Sequence, residues 1–321
     1  MPKNLVYNLY MPCLRFFVSL LCLAFSTAIL SANEPFELTS KQVIAFLGGT
    51  NCVNLQNAGY LEATLTLAVD AQPRFVDLAW EGDTVFRQGT IVERWRKAKF
   101  GDLAAQLNTN AVTTVFVMFG QNETLSDSTV PEFAEALEQM LSICKQEERQ
   151  VVIVAPIPFE KTNELLPDLS QRNPDLANYV LEMSRLADKH HCHFVDLFRH
   201  FKDNAQNALT NNGLHIRPAM SQLVSNAIAT QLNVPTENSD EALRTAISQK
   251  HQLWMNYWRP ANWKCLYGDD GERNFGKATG DSDTLREEWK QLPNLIAKSE
   301  QKIWRLARNL QGERVKSEAQ P

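Results

Sequence analysis

Excess positive charge, close cysteine pairs and internal repeats are all missing from this chain of 321 residues. Its 32 Lys and Arg stand against 37 Asp and Glu, a formal charge of −5, and no basic stripe appears. Such a surface lacks the electrostatic footprint of a nucleic-acid binder, so no nucleic-acid partner is expected. No CxxC spacing occurs. Of the six cysteines, Cys52, Cys144, Cys192 and Cys265 lie beyond residue 32, widely spaced. Four cysteines allow three pairings, but Cys144 and Cys192 fall inside helix- and strand-like patterns, where a buried thiol is the commoner outcome. No disulfide is predicted. Histidine is scarce too: of six, four crowd into His190, His191, His193 and His200.

What is present reads as an ordinary soluble protein, with 44% hydrophobic and 21% charged residues. The length suits one large α/β domain with an appendage, or two modest domains. Residues 1–32 stand apart. Lys3 and Arg15 precede an apolar stretch from Phe16 to Leu30, and Ser31-Ala32 leads into the polar Asn33-Glu34. A charged start, an apolar run of about 15 residues and small residues at a polar junction are the plan of a secretory signal peptide. Cleavage after Ala32 implies an exported protein, periplasmic or extracellular, with a formal charge taken from −5 to −7 by loss of the two cationic residues. The long charged region also fits an uncleaved signal anchor, which would make the membrane a partner. Cys22 has no small residues before it and is not read as a lipid-attachment site.

Five apolar runs, at 43–47, 75–79, 114–119, 150–157 and 193–198, are short, rich in Val, Ile and Phe, and nearly continuous. Strands of a parallel sheet buried on both faces look like this. Helical periodicity fills the gaps: 57–69, then 132–145 with Phe133, Leu137, Met140 and Leu141 on one face, then 174–189 and 219–232. Pro131 suits a first helical turn. The alternation predicts an α/β fold over residues 41–235, a three-layer, flavodoxin-like sandwich with a five-stranded parallel sheet. After Pro235-Thr236-Glu237-Asn238-Ser239 the character changes. Residues 240–310 read as a Trp-rich helical extension: a helix from Glu241 to Trp258, an irregular middle, and a helix from Leu285 to Asn309. It holds five of the seven tryptophans: Trp254, Trp258, Trp263, Trp289 and Trp304. The two helices are expected to pack on the α/β domain or on each other. Residues 311–321 are polar and expected to be disordered. Nothing in the sequence fixes an oligomeric state.

Four segments fall where the strands hand over to loops or helices. Gly48-Gly49-Thr50-Asn51 follows the first run. Thr50 fits two roles there: an N-cap accepting free helix N–H groups, or a hydroxyl nucleophile activated by a base. Cys52 is the better nucleophile chemically but is expected to point to the wrong side of the turn. Trp80-Glu81-Gly82-Asp83-Thr84 follows the second run, and alone reads as a turn. Gly120-Gln121-Asn122-Glu123 follows the third; Asn122-Glu123-Thr124 is also a formal glycosylation sequon. Asn212-Gly213-Leu214-His215, before Pro218, precedes the last helix of the α/β domain. His251 belongs to the extension, and the four crowded histidines read as a solvated helix end and strand edge, with a metal site the less favoured alternative. His215 is left as the candidate base.

In order and strand-end placement these four segments, spanning residues 41–233, resemble the motif blocks of the SGNH (GDSL-like) hydrolases. The Gly-Gly-Thr-Asn turn and Tyr257-Trp258-Arg259-Pro260-Ala261-Asn262 look like a secreted, planctomycete-type branch. The resemblance implies an ester hydrolase acting on carbohydrate O-acyl or other small esters, with no cofactor and no metal. It puts Thr50 in the place of the nucleophilic Ser, His215 as general base, and Asn212 where an Asp orients the imidazole. It makes the Thr50 and Gly82 backbone N–H groups and the Asn122 side chain the oxyanion hole. Two departures matter: Thr adds a methyl group at the nucleophile, and Asn cannot stabilise imidazolium by charge. Asp203, Glu81 or Asp83 would be the compensating carboxylates. The alternative is a catalytically impaired protein that binds a saccharide or a partner through the same pocket, a role the extension's aromatics favour slightly.

Overall fold

The computed structural model describes residues 35–39, 41–69, 72–86, 97–162, 165–203, 208–236, 239–259, 264, 266, 268–273 and 284–318. The expected signal segment 1–32, Cys265, Trp263 and Pro260-Ala261-Asn262 lie outside them. In chain order the elements are β1 (Val43–Gly48), α1 (Thr50–Ala58), α2 (Tyr60–Leu67), β2 (Arg74–Asp77), α3 (Leu103–Thr109), β3 (Thr114–Met118) and the single turn α4 (Gln121–Thr124). There follow α5 (Val130–Cys144), β4 (Gln150–Val154), α6 (Asn173–Lys189), β5 (His193–Val195), α7 (Leu197–Asp203), α8 (Ser221–Gln231), α9 (Glu241–Trp258) and α10 (Leu285–Glu318).

All five strands pair in parallel, in the order β2-β1-β3-β4-β5. The expected flavodoxin-like order is the one found. Alternate residues of the strands serve opposite faces. Ala45, Leu47, Val115, Val117 and Ile153 pack under α5 and α6, with Leu137, Leu141 and Met183. Ile44, Phe46, Phe116 and Val152 pack under α1, α2 and α8, with Val53, Leu65 and Ile228. Both faces are therefore covered, which is why the strands read as continuous apolar runs. The apolar runs outlast strands β2, β4 and β5 because Ala79, Ile157 and Phe198 stay buried past the strand ends.

Two boundaries differ from expectation. The helical pattern expected over 57–69 is two helices, broken at Gly59, whose φ of 73° makes a left-handed C-cap donating to Leu55 O and Gln56 O. The tail expected to be disordered from 311 instead continues α10 to Glu318. One anchor is Gln311, whose Nε2 donates to both Leu67 O and Val69 O at 3.0 Å.

Residues 33–321 form one compact unit, so the extension is part of the body. Its helices α9 and α10 pack on each other and on α2, and they cover β2, an edge strand. Arg74 N donates to Gln42 O, just before β1, and Leu78 N to Phe46 O of β1, leaving the Phe75 backbone facing outward. Phe75 N donates to Glu300 Oε1 at 3.4 Å, and Phe75 O accepts from Trp254 Nε1 at 3.1 Å. Trp304 Nε1 adds a bond to Pro73 O at 2.9 Å. An exposed edge invites pairing with another chain; here the extension's side chains occupy it. Trp254 and Trp258 are stacked on each other, buried, with Phe100 against Trp258. They serve packing, not a solvent-facing platform.

The same interface buries one ionic pair and one contact between a carboxylate and a histidine whose pKa burial pushes down to about 3, leaving the ring neutral. Lys250 Nζ meets Glu62 Oε1 at 2.5 Å, the side chains 2% and 10% exposed. His251 of α9 meets Asp77 at the end of β2, both almost wholly buried. Breaking a buried pair leaves a stranded charge, at a cost of about 3–5 kcal/mol, whereas replacing both partners with apolar residues is often neutral. Lys250→Met should therefore lower unfolding stability by about 3–5 kcal/mol in urea titrations, and Glu62→Leu in the same chain should restore most of it.

Candidate active site

In the strand order found, the topological switch point lies between β1 and β3, and ligands of open α/β sheets bind at the carboxyl ends of such a pair. Those ends carry Gly48-Gly49-Thr50 and Gly120-Gln121-Asn122. The loop after β2 brings Gly82 alongside. A Cβ on Gly49 would lie 3.0 Å from Asp83 O and 3.2 Å from Asn122 Nδ2. The lack of a side chain there is what lets the three loops converge.

Thr50 is not the N-cap. Gly49 holds that position, without a side-chain cap, and Thr50 is the first residue of α1. Its hydroxyl turns away from the helix: Thr50 Oγ1 accepts the Gly82 N–H at 3.0 Å. Gly82 is exposed and has φ +70°, a conformation that suits glycine, with nothing within 4 Å of its missing Cβ. Asn122 Nδ2 donates to Asp83 O at 3.1 Å, which leaves its second amide hydrogen available. Thr50, Gly82 and Asn122 are thus brought together as the sequence suggested.

His215 is half-buried, and burial pushes its pKa below the ordinary histidine value. The ring is therefore neutral at pH 7. Its polar neighbour is Asn212, with Nδ2 3.1 Å from His215 Nδ1. The amide cannot be turned round. Asn212 Oδ1 accepts Leu214 N–H at 3.1 Å and His215 N–H at 2.8 Å, so the NH2 group must face the ring. A donor opposite Nδ1 makes Nδ1 the acceptor, and the proton of the neutral ring then resides on Nε2. A base needs the opposite tautomer. Among the described residues no hydrogen bond joins Thr50 Oγ1 to the His215 ring.

Two of the three candidate compensating carboxylates have other work. Glu81 pairs with Arg259 of the extension, whose guanidinium lies 5.2 Å from the Trp80 ring centroid. Asp83 Oδ1 accepts Thr84 N–H at 3.0 Å. Asp203 ends α7. Glu123, 1% exposed, accepts Val85 N–H at 2.6 Å and Gly120 N–H at 2.8 Å, tying the β2 and β3 loops together. Cys52 is buried, which pushes its thiol far up, so it is no rival nucleophile. Among the described residues no group of three or more His, Cys, Asp or Glu could hold a metal. His190 pairs with Glu138, and His193 lies 3.1 Å from Gln150 Nε2.

Sequence reasoning missed Asn51. Its Oδ1 accepts Ile216 N–H at 2.8 Å, and its Nδ2 donates to Leu214 O at 3.0 Å and to Gln121 Oε1 at 2.6 Å. Gln121 Nε2 donates to Leu214 O at 3.2 Å. One side chain, next to Thr50, grips the residues on either side of His215. The signal was available only as a polar residue after the turn.

Two spaces flank this assembly. A cavity of about 40 Å³ is lined by Thr50, Asn122, Met118, Ala155 and Leu197. An open groove of about 450 Å³ is bordered by α1 and the segment from Asn211 to Ser221, and His215 lines it.

Residues 44–223 match the model of the GDSL-like lipase/acylhydrolase family. No curated protein matches the chain. Among solved structures, an acetylxylan esterase from Geobacillus stearothermophilus is similar at 16% identity and a TM-score of 0.49, over 64% of this chain and 100% of that one. A putative GDSL-like lipase from Parabacteroides merdae gives 17% and 0.47, over 62% and 100%. A gut microbial diltiazem-metabolizing enzyme gives 14% and 0.47, over 63% of this chain and 49% of that one, so the chain spans about half its length.

The Asn51 clamp makes a direct prediction. Asn51→Ala leaves Ile216 N–H without its partner, at a cost of about 1–3 kcal/mol. Native-state hydrogen exchange should show Ile216 N–H opening more readily by that amount, with the core of β3 unaffected. Unchanged protection would remove Asn51 from its positioning role.

Proposed function

The chain belongs to the GDSL-like lipase/acylhydrolase family, and from that premise we propose that it hydrolyses small O-acyl esters, those of carbohydrates among them, as an exported protein. The observation that carries this reading is the meeting of the Thr50 hydroxyl, the Gly82 N–H and the Asn122 amide at one helix start. Export rests on the signal-like segment of residues 1–32.

Thr50 Oγ1 attacks the ester carbonyl carbon and its proton passes to His215 Nε2. The charge that grows on the carbonyl oxygen is met by the N–H groups of Gly82 and Thr50 and the second hydrogen of Asn122. Collapse expels the alcohol, which takes the proton back from His215, and water then frees the acyl group from Thr50. A cavity of about 40 Å³ beside Thr50 suits a short acyl chain such as acetyl.

Asn212 acts as a brake. Reaction requires the Nδ1–H tautomer, which would set two donors against each other. In the serine-protease precedent, Asn in place of the orienting Asp lowers kcat by about 10⁴. The same contact favours a second reading, in which the pocket binds a saccharide or a partner and turns nothing over.

Hydrolysis of 4-nitrophenyl acetate should vanish in Thr50→Ala and His215→Ala. Asn212→Asp should raise kcat by up to about 10⁴-fold, since a carboxylate accepts the Nδ1 proton and the same two backbone N–H groups. If the wild type, Thr50→Ser and Asn212→Asp are all inactive, the binding reading replaces the catalytic one.

The pH dependence has a defined sign. Activity needs neutral His215, whose pKa burial holds below about 6.5. Wild-type kcat should therefore stay level as pH falls through 6.5 (about the free-imidazole value) and drop only below it. In Asn212→Asp the new carboxylate favours imidazolium, and the acid limb should move upward.

A further inference from the structure

The groove on the far side of His215 is a second site with a chemistry of its own. Asn54 and Asn57, three residues apart on α1, stand on one side; Asn211 and Ser221 lie on the chain opposite. Much of their hydrogen-bonding capacity is uncommitted. Asn57 Oδ1 accepts from Gln252 Nε2 at 2.8 Å, which leaves its NH2 group. Asn54 donates to Ile216 O only at the long distance of 3.5 Å, which leaves its Oδ1. Asn211 is exposed. Ser221 is wholly buried, and its hydroxyl has no hydrogen-bond partner although it borders the groove.

None of the residues bordering the groove is Asp, Glu, Lys or Arg. A phosphate, a uronate or a cationic ligand would find no counter-charge there. Carboxamides, which both donate and accept, match the vicinal hydroxyls of a polyol, and Ile216 and Pro218 supply apolar surface for a C–H face. At about 450 Å³ the space falls within the ~300–1,000 Å³ usual for small-molecule sites.

We propose that this groove binds a neutral saccharide, the alcohol side of the ester, while the acyl group occupies the small cavity at Thr50. His215 lines the groove, so the alcohol leaves past the group that returns its proton. The direction of the substrate rests on the ester-hydrolase reading; the ligand class rests on the groove's own lining.

The test is a titration of the uniformly ¹⁵N-labelled chain with xylotetraose and, separately, with trigalacturonate, followed through the side-chain NH2 resonances. Neutral xylotetraose at millimolar concentration should shift the Asn54, Asn57 and Asn211 amides. Binding should weaken by about tenfold, one hydrogen bond's worth, in Asn57→Ala and in the exposed-site variant Asn211→Ala. Trigalacturonate should bind more weakly. The proposal is overturned if xylotetraose shifts none of these amides, if neither variant weakens binding, or if the acidic sugar binds as tightly. Because the readout is binding, an inactive protein that still binds xylotetraose would sink the catalytic reading alone.

Discussion

The grip of the Asn51 side chain on Leu214 O and Ile216 N–H is the interaction on which the candidate site depends. The sheet alone does not fix the segment that carries His215. It delivers the ends of β1 and β3, and α8 begins well beyond them. The segment between Thr210 and Ser221 has little secondary structure, and its position is set by side chains. Asn51 fixes it to the first turn of α1, and Gln121 fixes it to the end of β3. Glu123 does the same for the loops after β2 and β3. Three carboxyl or carboxamide groups, each bonded to backbone of another loop, convert a sheet edge into a pocket.

Within that pocket the chemistry is divided. The groups proposed as nucleophile and oxyanion donors converge: a hydroxyl, a backbone N–H on a residue with positive φ, and a spare amide hydrogen. The histidine proposed as base is held back. The two backbone N–H groups that Asn212 accepts turn its NH2 toward His215, and that orientation dictates the tautomer. The departure from Asp therefore has a cost beyond the loss of a charge. It stores the imidazole proton on the nitrogen that would have to receive another.

Much of the architecture was legible in the sequence, because strands buried on both faces must be continuously apolar and the helices between them must show a stripe. Thr50, Gly82 and Asn122 were singled out at strand ends by their resemblance to the family's motif blocks, and His215 by its loop before the last helix of the α/β domain. Other features were out of reach for physical reasons. The partners of Asn51 lie as far as 165 residues away, and no local pattern encodes them. Which strand forms the edge depends on sheet order, so the extension's work on β2 was hidden. Its tryptophans slightly favoured a binding role, while Trp254 and Trp304 spend their indole N–H groups on the backbone of β2 and of Pro73 before it. Thr50 fitted an N-cap as well as a nucleophile because Thr favours that position; Gly49 took it, in a turn where a side chain would crowd Asp83 O and Asn122 Nδ2.

The central claim is that Asn212 holds His215 of the proposed ester-hydrolase site in the unproductive tautomer. The most direct measurement is the protonation pattern of the His215 ring nitrogens in the wild-type chain at neutral pH, read from long-range ¹H–¹⁵N correlation spectra. The account predicts a neutral ring with the proton on Nε2 and a bare Nδ1 facing Asn212. A proton on Nδ1 in the resting protein would contradict it.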